Sequence, residues 1–74
     1  MKPLRQHRRE RLISLERLAA QAGVTAKTLS NIERGKQRPG FRSMRGISQA
    51  LDLDPREITE FNSVLQDLPD DGES

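Results

Sequence analysis

Four side chains between positions 26 and 31 combine helical spacing with the chemistry of base recognition. Their positions repeat at the period of a helix and would share one face of it; the four are Ala26, Lys27, Ser30 and Asn31. A lysine ammonium donates to guanine O6 and N7, an asparagine amide bonds adenine twice, and a methyl group contacts the thymine methyl. The pattern indicates contacts to base edges of double-stranded DNA, although a solvated helix face would also carry Lys27 and Ser30.

A second group of donors has the character of phosphate ligands. Phosphate oxygens accept hydrogen bonds from cations, from hydroxyl groups and from the free backbone N–H groups at a helix start. Leu15 and Glu16 supply such N–H groups at the start of a predicted helix. The predicted side-chain ligands are Thr25, Thr28, Lys36, Arg38 and Arg42. Any one arginine could serve solubility alone, but together these residues favour DNA phosphate contacts.

Charge is distributed unevenly along the chain. Residues 1–46 hold twelve Lys and Arg against three Asp and Glu, which gives +9, whereas residues 47–74 hold one against eight, which gives −7. The two halves sum to the net charge of +2. Such asymmetry favours a basic front that meets nucleic acid and an acidic back that meets water.

Three helix starts follow the same local pattern. A side-chain oxygen accepts from the free N–H groups of the first turn, and flanking apolar residues close over it as a hydrophobic staple. The three capping residues are Ser14, Thr25 and Asp54. Pro55 follows Asp54 at a position where its missing N–H costs nothing, and Glu57 completes a capping-box pattern.

Glycines mark the ends of two of these helices. Gly23 and Gly35 stand where a left-handed residue can terminate a helix. The sequence therefore predicts one helix over Leu15–Ala22 and a second over residues 26–34, joined by a short turn. Two short helices joined in this way form a helix-turn-helix.

The remaining elements are also predicted to be helical, so the fold class is all-α. A first helix covers about residues 3–11, and a last helix covers about residues 55–65. Between them, an apolar pattern at helical spacing covers residues 41–51. Gly46 within that pattern would permit close approach of a neighbouring helix.

The predicted domain covers residues 1–66, and residues 67–74 are expected to form an acidic, disordered tail. The chain has one histidine and no cysteine, and no nucleophile pairs with a candidate base. We therefore expect no enzyme activity, no cofactor and no metal site.

No apolar run reaches the ~18 residues of a membrane span, and a cytoplasmic protein is expected. Two phenylalanines are the only aromatic residues, which disfavours RNA stacking.

Over residues 4–58 the sequence resembles the lambdoid phage repressor and Cro family, also called the xenobiotic-response-element type. The resemblance lies in Ile13-Ser14 with Leu18-Ala19, in Ala22-Gly23-Val24-Thr25, in Thr28-Leu29-Ser30-Asn31-Ile32-Glu33-Arg34-Gly35, and in Pro39 before the apolar stretch that ends Ala50-Leu51. It implies a compact five-helix bundle that regulates transcription through operator DNA. It also implies base contacts at the four positions named first.

The resemblance implies one structural ion pair and shows three departures. Family members often pair an arginine of the first helix with the glutamate that ends the recognition helix, and Arg8 and Glu33 occupy those positions. Leu15 replaces a frequent glutamine that bonds DNA, which leucine cannot do. Leu12 replaces a frequent glycine, which predicts strain at the end of the first helix. His7 replaces a frequent apolar residue and is expected on the surface.

Two functions stay open at this point. The first is a sequence-specific regulator, in the simplest case a repressor, that binds a near-palindromic operator as a homodimer. The second is a protein-binding module or antitoxin, whose functional surface would be a groove between helices. An exposed apolar patch would support the second function, and its residues would be Leu53, Phe61, Val64 and Leu65.

Overall fold

A computed structural model describes residues 1–67, which form five α-helices and one 3-10 turn. The elements are α1 (Leu4–Glu10), α2 (Leu15–Ala22), α3 (Ala26–Glu33), α4 (Phe41–Leu51), the 3-10 turn (Pro55–Glu57) and α5 (Thr59–Asp67). The all-α, five-helix prediction is confirmed. Of the predicted tail, Asp67 ends α5 and the rest lies outside the described residues. No helix within residues 1–67 is long and apolar enough to cross a membrane.

The three predicted capping residues all accept a backbone hydrogen bond. Ser14 and Thr25 each accept from the N–H three residues later, at 3.1 and 3.0 Å. Asp54 accepts from the N–H of Arg56 at 2.9 Å. The Arg56 guanidinium also binds this carboxylate and lowers the pKa of Asp54 to about 2. Local sequence therefore determines where α2, α3 and the 3-10 turn begin.

Helices α1 to α4 are all followed by a residue in the left-handed conformation, which closes the last turn. These residues are Leu12, Gly23, Gly35 and Asp52, with φ of 56°, 78°, 75° and 57°. Their N–H groups reach back to the helix, as at Leu12, whose N–H donates to the Arg9 carbonyl at 3.0 Å. Both glycine stops are confirmed. Leucine at position 12 takes a conformation that only glycine adopts without a steric cost.

We expect Leu12→Gly to stabilise the protein by about 1 kcal/mol. The left-handed conformation costs a residue with a Cβ roughly 1–2 kcal/mol, and the greater freedom of glycine in the unfolded chain cancels part of that gain. Little packing is lost, because the Leu12 side chain is 93% exposed. Urea unfolding measures the difference. Leu12→Ala is the control, since it removes the same side chain but keeps the strain; a glycine variant no more stable than this alanine variant contradicts the prediction.

The core gathers apolar side chains from all five helices and from the segment before α5. The largest fully buried side chains are Leu4, Leu18, Leu29, Ile32, Ile47, Ile58 and Phe61. Gly46 lies where α4 crosses α2, directly against the backbone of Ala22. A Cβ on Gly46 would come within 3.1 Å of the Ala22 carbonyl carbon and closer still to its oxygen. The predicted close helix approach is confirmed.

Hydrogen bonds tie the N-terminal residues to the segment before α5. Lys2 pairs with Ile58 in an isolated parallel bridge. The Lys2 N–H donates to the Glu57 carbonyl at 3.2 Å, and the Lys2 carbonyl accepts from the N–H of Thr59 at 2.9 Å. Ile58 is extended, with φ −106° and ψ 122°. The prediction of one helix over residues 55–65 is therefore wrong, because this extended residue separates the 3-10 turn from α5.

Two further contacts join α1 to the first turn of α5 and to the 3-10 turn. The N–H of Leu4 donates to Glu60 Oε1 at 2.9 Å, so a carboxylate 56 residues away caps α1. His7 is buried, at 6% exposure, and its imidazole Nε2 donates to the Glu57 carbonyl at 2.9 Å. The expectation of a surface His7 is wrong. Leu4 and His7 are three residues apart and share a helix face, which is the signal that could have indicated burial.

Candidate nucleic-acid interface

A tight turn sets α2 and α3 against each other. Gly23 has a φ of 78°, and the N–H of Val24 donates to the Ala19 carbonyl at 3.0 Å. The facing sides of the two helices are buried to 2% exposure or less, at Leu18, Ala19, Leu29 and Ile32. Because one side of α3 is buried in this way, its opposite side faces outward.

The four predicted base-reading residues lie on the first two turns of α3. Lys27 is exposed, and it forms no ion pair within residues 1–67. Ser30 and Asn31 are half-buried, and their side chains form no hydrogen bond in the same part of the chain. Ala26 is half-buried and packs against the core. Three polar side chains thus remain available to a ligand, whereas the core covers part of the Ala26 methyl group.

Thr25 and Thr28 form a linked pair at the start of α3. Thr25 Oγ1 accepts from the N–H of Thr28 at 3.0 Å and donates to Thr28 Oγ1 at 2.9 Å. The Thr25 hydroxyl thus makes two hydrogen bonds within the fold, whereas the Thr28 hydroxyl makes one. Of these two predicted phosphate ligands, Thr28 keeps more hydrogen-bonding capacity for a phosphate.

The start of α2 presents backbone N–H groups. The Leu15 side chain is half-buried and packs against the core, and Glu16 is exposed. Ser14 Oγ accepts from the N–H of Arg17, which leaves the N–H groups of Leu15 and Glu16 free. A phosphate placed here would gain these donors but would also meet the carboxylate of Glu16, which weakens the site.

The loop between α3 and α4 carries exposed cations. Lys36 and Arg38 are exposed within it, as is Arg42 in the first turn of α4. Arg38 Nη2 lies 3.4 Å from Asp67 Oδ2, with 61% and 64% of the two side chains exposed. An ion pair this exposed contributes ~0–1 kcal/mol. A phosphate can therefore displace Asp67 from Arg38 at little cost.

Glu33, the last residue of α3, binds two arginines of α1. Arg8 donates to the Glu33 carboxylate twice, from Nε at 2.8 Å and from Nη2 at 3.2 Å. Arg5 Nε lies 3.6 Å from the same carboxylate. The sequence pointed only to Arg8, although Arg5 precedes it by three residues and lies on the same side of the helix.

The Arg8–Glu33 pair is largely removed from water. The Arg8 side chain is 14% exposed and that of Glu33 is 3% exposed. Hydrogen bonding to Glu33 raises the pKa of the Arg8 guanidinium, while desolvation acts in the opposite direction. Arg8 Nη1 also donates to the Ile13 carbonyl at 3.1 Å. One guanidinium thus joins α1, the α1–α2 loop and the end of α3.

The apolar patch expected for a protein-binding module is only partly exposed. Phe61 is fully buried and Val64 is 8% exposed, so both belong to the core. Leu53 and Leu65 are half-buried. Within residues 1–67 there is also no cluster of three His, Cys, Asp or Glu side chains that could hold a metal ion. In this part of the chain, the outer side of α3 and the basic loop after it are best suited to a ligand.

Comparison with known proteins shows relatives of one kind. Over 51 residues the chain is 39% identical to the uncharacterized HTH-type transcriptional regulator y4dL of Sinorhizobium fredii (strain NBRC 101917 / NGR234), covering 69% of this chain and 26% of the relative. It is 36% identical to the HTH-type transcriptional regulator SinR of Bacillus subtilis (strain 168) and 35% identical to SinR of Bacillus licheniformis. Both SinR matches cover 84% of this chain and 62% of the relative. The chain therefore spans less than two thirds of the length of these curated relatives.

No solved structure matches the chain.

A family model does match the chain, and the matched region contains the two helices and the turn of the motif. A family model described as helix-turn-helix matches residues 4–58, a stretch that contains α1 to α4 and every predicted DNA-contact residue. That stretch is more than half of the 74 residues. The chain belongs to the helix-turn-helix family.

Proposed function

We propose that this chain is a sequence-specific, double-stranded DNA-binding transcriptional regulator that acts in the cytoplasm, in the simplest case as a repressor. The outer side of α3 carries the proposal: Lys27, Ser30 and Asn31 stand there without partners within residues 1–67. Such a helix enters the major groove and reads base edges with its N-terminal residues. The relatives named as transcriptional regulators support the same function.

Phosphate contacts would fix the register of α3 on the duplex. We assign them to the Thr28 hydroxyl, to the free N–H groups at the start of α2 and to three exposed cations, Lys36, Arg38 and Arg42. Thr25 acts mainly as the cap of α3, since its hydroxyl is already bonded on both sides. These three cations are part of the excess of positive charge in the first 46 residues.

Selection of bound sequences from a random duplex library tests the proposed function. We expect a near-palindromic sequence whose half-sites lie about one helical turn apart, roughly 34–36 Å, because two copies would bind with two-fold symmetry. Affinity for that duplex should fall steeply between low and moderate salt, because several phosphates are neutralised. A library that yields no enriched sequence, or an affinity insensitive to salt, contradicts the proposal.

Lys27→Ala and Asn31→Ala should each weaken binding to the selected duplex by about 1–3 kcal/mol, because each removes a base contact. Each variant should also lose discrimination at one base position. Lys36→Ala should instead weaken binding to all duplexes alike and reduce the salt slope by about 1. Fluorescence anisotropy with matched and single-mismatch duplexes measures both effects. Gln66→Ala, an exposed polar residue on α5, is the control; uniform losses for the two α3 variants would mean that they read no base.

A further inference from the structure

An open groove of about 320 Å³ lies between the α3–α4 loop and the last turns of α5. The loop contributes Lys36, Gln37 and Arg38 to its lining, and α5 contributes Ser63, Val64 and Asp67. Two of the proposed phosphate ligands, Lys36 and Arg38, therefore belong to one wall of this groove. The described part of the chain ends on the other wall, at Asp67.

Asp67 already places a carboxylate against one of these phosphate ligands. Its Oδ2 lies 3.4 Å from Arg38 Nη2. Asp67 is the last residue of α5, where the helix dipole opposes a negative charge. This carboxylate therefore does not help α5 to form, and within residues 1–67 its favourable interaction is the contact with Arg38. Lys36, on the same wall, is exposed and belongs to no ion pair in that part of the chain.

The sequence that follows Asp67 carries more charge of the same sign. Residues 68–74, here called the acidic segment, contain three carboxylates and no Lys, Arg or His. The three are Asp70, Asp71 and Glu73. Because these carboxylates directly follow the helix end that contacts Arg38, the acidic segment is complementary in charge to the loop wall of the groove.

The acidic segment is long enough to reach both cations of the loop. An extended chain advances at most about 3.3–3.6 Å per residue, so Asp70 can stand up to roughly 10 Å from Asp67, and Glu73 up to roughly 20 Å. Arg38 is already in contact with Asp67, and Lys36 is two residues from Arg38. Chain length therefore permits the carboxylates to meet both cations.

We infer that the acidic segment binds in this groove and occupies Lys36 and Arg38 while no DNA is bound. Its carboxylates then take the place of DNA phosphates, so a duplex must displace the segment before it can bind the loop. Each exposed ion pair is weak, but attachment to α5 keeps the carboxylates at a high local concentration. The inference rests on the proposed function only for its effect on DNA affinity, since binding of the segment in the groove involves this chain alone.

Paramagnetic broadening of NMR signals tests the contact without DNA. The chain contains no cysteine, so Ser74→Cys provides a single attachment point for a nitroxide spin label. At low salt we expect the label to broaden the amide signals of residues 36–38. The broadening should decrease at moderate salt, because exposed charges are then screened, and also when Asp70→Asn/Asp71→Asn is added to the labelled chain. Loop signals that stay sharp at low salt, or broadening that neither change reduces, overturn the inference.

A mixed sample distinguishes contact within one chain from contact between two chains. It combines an isotope-labelled chain that lacks the spin label with a spin-labelled chain that is invisible to the NMR experiment. We expect no broadening of residues 36–38 in this mixture. Broadening there would mean that the acidic segment binds the groove of a second copy, and it would overturn the intramolecular contact.

DNA affinity measures the effect of the contact on the proposed function. Asp70→Asn/Asp71→Asn should raise the affinity for the selected duplex by at least about threefold at low salt, because two competing carboxylates are lost. The gain should shrink to less than about twofold at moderate salt, because screening already weakens the competitor. An affinity that the double variant leaves unchanged at low salt overturns the inference.

Asp52→Asn/Glu57→Gln is the matched control for net charge. It also removes two negative charges from exposed residues, but neither residue lines the groove. Asparagine tolerates the left-handed conformation that Asp52 adopts, so the fold should be kept. The control should change DNA affinity by less than about twofold, since exposed charges outside the groove are largely screened. Equal gains for the control and for Asp70→Asn/Asp71→Asn would show a general effect of charge and overturn the inference.

Removal of the two cations relates the gain in affinity to the loop. In a Lys36→Gln/Arg38→Gln chain, the further change Asp70→Asn/Asp71→Asn should alter DNA affinity by less than about 1.5-fold, because groups that interact are not additive. A gain that persists in this chain overturns the inference. Absence of binding to any duplex overturns the proposed function instead, while the spin-label experiment still decides whether the acidic segment occupies the groove.

Discussion

Glu33→Ala should destabilise the protein by about 3–5 kcal/mol, because it leaves the Arg8 guanidinium charged and mostly buried without its partner. The side chains of Arg8 and Glu33 are only 14% and 3% exposed, and two hydrogen bonds of 2.8 and 3.2 Å join them. A chain of this length has an unfolding free energy of about 4–11 kcal/mol in total. The substitution therefore removes a large part of the stability.

Urea unfolding in the cold, followed by circular dichroism, measures the loss. Glu10→Ala is the matched control, because Glu10 also pairs with a cation but the Lys2–Glu10 pair is 46% and 43% exposed. Exposed pairs contribute ~0–1 kcal/mol. Equal losses for Glu10→Ala and Glu33→Ala would show that burial adds nothing to the Arg8–Glu33 pair.

A variant that replaces both charges distinguishes the contribution of the ion pair from the cost of leaving one charge buried without a partner. Arg8→Met/Glu33→Leu should be much more stable than Glu33→Ala, because replacing both buried charges with apolar side chains is often neutral or stabilising. The Arg8–Glu33 pair then serves mainly to position α3 and adds little to the free energy of unfolding. Arg8 links α1 to the last residue of α3 and to the Ile13 carbonyl, so it sets the angle at which α3 is held. We expect the doubly apolar variant to fold but to bind DNA more weakly than the original.

The elements predicted correctly from the sequence are those specified by neighbouring residues. Ser14 and Thr25 start helices by bonding N–H groups three residues away, and Gly23 and Gly35 end them through their own φ angles. Interactions over one turn are visible in a single sequence. They were sufficient to place α2 and α3 within one residue, and with them the candidate DNA-reading side of α3.

The parts that could not be predicted depend on residues far apart in the chain or on the orientation of a side chain. The N–H of Leu4 is capped by Glu60, and Lys2 holds Ile58 extended, which divides the expected last helix. No local pattern shows that position 2 will lie beside position 58. The Arg8–Glu33 pair, 25 residues apart, was expected from a family resemblance and not from physical reasoning. The bond between the Thr25 and Thr28 hydroxyls depends on two rotamers that the sequence does not specify.

Gly46→Ala should destabilise the protein by about 2–3 kcal/mol, at the upper end of the usual cost of overpacking. In an isolated helix the same change would be stabilising by about 1 kcal/mol, because alanine favours the helix more than glycine does. In this protein, the close packing of α4 on α2 makes the same substitution destabilising. The added Cβ would lie 3.1 Å from the Ala22 carbonyl carbon and closer to its oxygen, and backbone atoms at a helix crossing cannot swing away as a side chain can.

Gly46→Ala should also lower the affinity for DNA. Ala22 ends α2 immediately before the turn at Gly23, so separating α2 from α4 also shifts α3. Affinity for the selected duplex should therefore fall even under conditions where circular dichroism shows the variant to be folded. Gly40→Ala is the control, because no atom lies within 4 Å of the position that its added methyl group would take and the loss of a glycine cap costs at most ~1 kcal/mol. If Gly46→Ala is as stable as Gly40→Ala, the α2–α4 crossing has room for a methyl group, and the position of α3 does not depend on this glycine.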